Sequence, residues 1–165
     1  MSARLPVPIE FQLPEGWSAA DPEQADASGV AFAALHPELD DGFAANITID
    51  GEYRPDEAPL AEIADGSVQR MREIADSVAV ANRKEIGSAD APGLTQTMTF
   101  AAEAGGVRRA LVQIQVYLAM LDVHDPAKRA VIRLALTATP AQLDNVLGDF
   151  RQFVETVRPD TGRTS

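Results

Sequence analysis

The chain has 165 residues, 45% of them hydrophobic, and carries 25 acidic against 14 basic side chains, a formal charge of -11. Such a chain makes one domain with a buried core and is too apolar to be disordered. It has no cysteine and only two histidines, which excludes disulfides, thiolate metal sites, a cysteine nucleophile and a three-imidazole centre.

In chain order, residues 7–13 alternate, with Ile9, Phe11 and Leu13 on one side and Pro8, Glu10 and Gln12 on the other. That period predicts a half-buried strand, and Pro8 places it at an edge. Pro14-Glu15-Gly16 predicts a turn, with Trp17 capping the core after it. Residues 30–35 and 44–50 read as the next two strands, joined by a loop over His36–Gly42. From Asp56 to Val80 the period changes: Leu60, Ile63, Ala64, Val68, Met71, Ile74 and Val78 predict one long amphipathic helix, with Pro59 in its first turn. Strands follow over 80–86, 94–101, 108–120 and 130–139, with a hairpin at Ala104-Gly105-Gly106 and a loop over 122–128. Thr139 and Pro140 then open a closing helix with a stripe from Leu143 to Val157, stopped by Arg158-Pro159.

The expected class is therefore α+β: an antiparallel sheet of about six to seven strands with two long packed amphipathic helices, in the order βββα-ββββ-α. Both helices are expected to bury their stripes on the oily side of the sheet. One domain is expected over residues 1–158, with a flexible tail over 159–165.

Charge narrows the partners. Basic residues occur in pairs at most (Arg70 with Arg72, Arg83-Lys84, Arg108-Arg109, Lys128-Arg129), so neither nucleic acid nor an anionic membrane is an expected partner. The first 20 residues lack a continuous apolar stretch, and Pro6, Pro8 and Pro14 interrupt them, so no signal peptide is read and a cytoplasmic location is expected. Basic charge is nearly all arginine and alanine is abundant, the bias of a GC-rich genome such as an actinobacterium's.

Few residues suggest chemistry. Asp122, His124 and Asp125 crowd together, as do His36, Glu38, Asp40 and Asp41, but each run has the ordinary reading of a polar loop. Neither Gly-x-Ser-x-Gly nor a glycine-rich phosphate loop is present. Asn46-Ile47-Thr48 fits the glycosylation pattern and reads as plain strand. No cofactor, metal or catalytic set is expected. The informative feature is the second face of the sheet, where Thr97, Thr99, Gln113, Gln115, Tyr117 and Arg133 oppose the apolar set, alongside Thr95 and Thr137. Its ordinary reading is a solvated face; its functional reading is a partner-binding surface, rich in donors and acceptors and holding residues frequent at interface hot spots.

Leu13-Pro14-Glu15-Gly16-Trp17, together with the Leu134–Thr139 strand running into a helix that bears Phe150 and Phe153, resembles the PsbP/Mog-like domains. The resemblance, to the DcrB and effector-associated chaperone type, spans residues 10–158. It implies a non-catalytic protein-binding module, an adaptor or chaperone-like protein linked to a secretion system. The alternatives are a small-ligand-binding protein or a metal-dependent enzyme using a helix–sheet pocket, and a homodimer paired through a sheet face or edge.

Overall fold

A computed structural model describes residues 9–21, 30–54, 58–87, 92–104, 106–121 and 129–159. The side chains of residues 104, 121 and 159 fall outside that description. Among the described residues, nine strands and two helices run in the order β1 (Ile9–Glu10), β2 (Ser18–Ala20), β3 (Phe32–Asp40), β4 (Phe43–Tyr53), α1 (Leu60–Ile74), β5 (Asp76–Gly87), β6 (Pro92–Ala104), β7 (Val107–Leu121), β8 (Arg129–Ala138), α2 (Pro140–Thr156) and β9 (Arg158–Pro159). Seven strands form one antiparallel sheet in the order β2-β3-β4-β8-β7-β6-β5; β1 and β9 pair as a separate ribbon. The α+β class and the element order are as expected. Among the described residues no helix is long and apolar enough to cross a membrane.

Local chemistry explains most boundaries. Thr139 caps α2 through a reciprocal box: its hydroxyl accepts from the Gln142 backbone N–H at 3.2 Å, and Gln142 Oε1 accepts from the Thr139 N–H at 3.0 Å. Helix α1 is shorter than its periodicity predicts. Pro59 is its N-cap rather than part of its first turn, and Ala75 is already extended. Ser77 takes a positive φ of 55° and Val78 joins β5, because backbone pairing with β6 competes successfully with one more helical turn. The expected loop over His36–Gly42 is also corrected: β3 continues through His36 and Pro37 by a register shift between Leu35 and Leu39. Asp41 and Gly42, at φ 49° and 84°, then make a two-residue turn between β3 and β4. Positive φ at both central residues is the mirror-image turn that suits strand twist. Of the first predicted strand, residues 7 and 8 lie outside the described residues, Ile9–Glu10 forms β1 and residues 11–13 are not strand; Phe11 packs edge-on against Phe32 and Phe153 at 5.0 and 5.5 Å.

The helices lie on opposite faces of the sheet, which corrects the expectation that both cover one side. Val146, Phe150 and Phe153 of α2 pack against Ile47, Ile49, Ile132, Leu134, Leu136 and Val116. Full burial of each phenylalanine contributes about 1.5–3 kcal/mol at most. Leu60, Ile63, Ala64 and Val68 of α1 pack on the other face, against Leu94, Tyr117, Val131, Met98, Phe100 and Leu111. Trp17 does cap the core as expected; it is buried, touches the His36 ring at 5.1 Å, and its Nε1 donates to Asp149 Oδ2 at 3.0 Å.

Candidate functional site

The polar residues of the sheet do not form an open surface. Register sorts them first. Gln96 lies opposite Gln115 and Met98 opposite Gln113, so Thr97 and Thr99 stand with Ile114 and Val112 on the α2 face. Gln113, Gln115, Tyr117, Arg133 and Thr137 share the α1 face, with Gln113 opposite Thr137 and Tyr117 opposite Arg133. The expected cluster is thus divided: Thr99 is exposed on one face, and α1 covers the glutamine–tyrosine set on the other. Gln96, Gln115 and Tyr117 are each no more than 2% exposed. Burial follows because Leu94, Met98 and Phe100 share this face and need the apolar stripe of α1.

Beneath the helix the buried polar atoms satisfy one another. Gln96 Nε2 donates to Gln115 Oε1 at 2.8 Å and to the Ala64 carbonyl at 3.2 Å. Gln115 Nε2 donates to Gln113 Oε1 at 2.7 Å, and Gln113 Nε2 to Thr137 Oγ1 at 2.9 Å. Tyr117 donates to Gln115 Oε1 at 2.9 Å and its hydroxyl also meets that of Ser67. Arg70 and Arg133 donate to Ser67 Oγ at 3.2 and 3.5 Å, and Arg133 pairs with Asp50 at 3.3 Å. Among the described residues no buried side-chain polar atom lacks a partner. Burial pushes the Tyr117 phenol above its ordinary 10.0, against the lowering effect of the Ser67 bond and of Arg133 and Arg70. It therefore stays protonated at neutral pH and serves as a donor.

Past the C-terminal end of α1 the same face opens into a cleft of about 430 Å³. Its walls are apolar: Phe43, Met71, Ile74, Phe100 and Leu111. Its floor is polar and uncharged: Asn46 and Thr48 from β4, Gln113 from β7 and Thr137 from β8. Charge is confined to Asp76, Glu103 and Arg108 of its lining, where Arg108 and Asp76 pair at 2.8 Å. Nearby, the Arg109 guanidinium lies 5.7 Å over the Phe43 ring. Apolar walls with a few convergent polar groups are the usual make-up of a binding pocket, and the volume falls within the range of small-molecule sites.

Of the residues expected on the polar face, Gln113 and Thr137 reach this cleft; Gln115, Tyr117 and Arg133 lie under α1. Asn46, Thr48, Gln96 and Ser67 were missed. The signal for two of them was available: Gln96 falls in phase with Leu94, Met98 and Phe100, and Ser67 interrupts the apolar stripe of α1. A polar residue in an apolar phase marks a buried hydrogen-bonded group. His36 lies on β3, its Nδ1 accepting from the Glu38 backbone at 3.3 Å, while His124 and its neighbouring acids lie outside the described residues. Among the described residues no three His, Cys, Asp or Glu side chains gather as a metal site.

A seven-strand antiparallel sheet with one helix on each face and a cleft beside the first defines a module of PsbP-like fold. Among the solved structures that share it are three from different bacteria. LpqN of Mycobacterium tuberculosis, described as involved in cell envelope biogenesis, superposes with a TM-score of 0.64 at 10% identity, over 96% of this chain and 89% of that one. PA94 of Pseudomonas aeruginosa, a protein of unknown function described as a putative regulator, gives 0.60 at 20% identity, over 81% and 83%. Cyanobacterial PsbP (CyanoP) of Synechocystis sp. PCC 6803 gives 0.58 at 14% identity, over 92% and 86%. No protein-family model and no curated protein matches the sequence.

Proposed function

We propose that this chain is a non-catalytic protein-binding module, adaptor- or chaperone-like, whose docking site is the cleft beside α1. The observation that carries the reading is the cleft itself: apolar walls, a neutral polar floor, and charge confined to Asp76, Glu103 and Arg108. The expected open sheet face cannot serve, since α1 covers Gln115 and Tyr117. The polar groups beneath α1 are tied to one another, an arrangement that holds the shape of the face beside the cleft. Roles such as those named for PA94 and LpqN, regulation and cell envelope biogenesis, suit a protein that works by binding. A link to a secretion system belongs to the same reading, through the chaperone-type resemblance.

An array of capped peptides graded in apolar content tests it. Apolar peptides should bind the wild type, and Met71→Glu, which sets a charge in the wall, should abolish binding while leaving the circular dichroism unchanged. Uniform silence across the array, or binding indifferent to Met71→Glu, counts against the docking site. The volume also favours a second reading, a small-ligand site. A thermal-shift panel of metabolites distinguishes it, because a ligand at about 100 times its dissociation constant adds ~2.7 kcal/mol to the native state.

A further inference from the structure

The direction of every hydrogen bond under α1 is fixed from its ends. Arg83 has donors only, and its Nε and Nη2 reach Gln96 Oε1 at 3.1 and 2.7 Å. Gln96 must therefore turn its Nε2 to Gln115 Oε1, Gln115 its Nε2 to Gln113 Oε1, and Gln113 its Nε2 to Thr137 Oγ1. A second end agrees. Ser67 Oγ accepts from Arg70 and Arg133, so its own hydrogen goes to Tyr117, whose hydrogen goes to Gln115 Oε1. Both routes make the same oxygen of Gln115 the acceptor.

The relay ends in the cleft. Thr137 accepts from Gln113 and keeps its hydroxyl hydrogen, which it gives to no other described residue. Next to it in register, Asn46 donates Nδ2 to the Ala44 carbonyl at 3.3 Å, and its Oδ1, open to the cleft, takes no hydrogen bond among the described residues. Resting on the reading of the cleft as a docking site, we infer that its occupant is an extended segment of a partner polypeptide, giving a backbone carbonyl to Thr137 and a backbone N–H to Asn46. A donor beside an acceptor matches the alternation of an extended backbone. A helical segment has its interior groups already bonded and offers neither. The neutral floor and the chain's formal charge of -11 disfavour a carboxylate in the carbonyl's place, and Phe43, Met71 and Phe100 take the flanking apolar side chains.

The probe is the capped peptide acetyl-Val-Leu-Ala-Val-amide, titrated into ¹⁵N-labelled full chain. It should move the Gln113 and Asn46 side-chain amide resonances. Thr137→Val should weaken its binding about tenfold, and Thr137→Ser should restore it. In the free protein, Arg83→Met should shift the Gln113 side-chain amide from two strands away; an unmoved resonance overturns the relay. Binding that Met71→Glu abolishes but Thr137→Val leaves intact overturns this inference and spares the docking site. No binding at all overturns both. The ketone 4-methylpentan-2-one binding as tightly as the peptide would mean a small carbonyl compound, not a polypeptide, is the occupant.

Discussion

Tyr117 shows how one side chain can be both core and polar hub. It is 2% exposed, its ring packs with Leu94, Ala119 and Val131, and its hydroxyl joins Ser67 to Gln115. Replacing it by phenylalanine keeps the ring and removes two bonds. Ser67 and Gln115 retain other partners, so the expected cost is about 1–2 kcal/mol. That cost depends on pH in a definite sense. The folded-state pKa is raised above 10.0 by burial, so the unfolded chain ionises first on the alkaline side. Tyr117 thus contributes fully below 10.0 and loses its contribution as pH rises through the folded value. Urea unfolding of wild type and Tyr117→Phe should show a wide gap at about pH 8 and a narrower one at about pH 11. An equal gap at both would separate the phenol from the alkaline loss.

At the scale of elements, two glycines give opposite expectations. Gly148 sits inside α2, and a Cβ there meets nothing within 4 Å. Gly148→Ala should stabilise the chain by about 1 kcal/mol, because alanine loses less backbone freedom on folding. Gly93 on β6 is buried, and a Cβ would lie 2.9 Å from Ile86 Cγ1 and 3.2 Å from the Tyr117 carbonyl oxygen. The backbone oxygen cannot yield as a side chain can, so Gly93→Ala should destabilise by about 1–3 kcal/mol. Denaturant midpoints of the two variants should move in opposite directions. The sheet's edges follow the same element logic. Strand β2 is three residues long, while β5 carries two register shifts and the charged run Arg83-Lys84-Glu85. Short, irregular and charged edges oppose uncontrolled strand addition.

For the whole molecule, charge is the dominant long-range term. A formal charge of -11 repels itself, while several ion pairs, such as Arg108–Asp76 and Arg158–Glu10, join well-exposed side chains. Exposed pairs are worth little, so screening should relieve more repulsion than attraction. Raising ionic strength from about 10 mM to about 150 mM at neutral pH should therefore raise the melting temperature. A fall would show that the ion pairs outweigh the net repulsion.

Local chemistry was legible from the residues alone: the Thr139 cap, the hairpin at Gly106, the strand phases of β7 and β8, and the α+β order all rest on interactions within a few positions. Alternation also separated the two faces within each strand. It could not say which face of β6 continues which face of β7, since a shift of one residue inverts the answer. Pairing of Gln96 with Gln115 settled that, sent Thr97 and Thr99 to the far side, and joined Gln113, Gln115 and Tyr117 to the apolar set of β6. The helix drawn onto that set closed the face and left the cleft at its end. The residues by themselves determined the elements and their order. Tertiary structure alone decided the cleft, because it is made of neighbours far apart in the chain whose meeting depends on register and on which side each helix packs.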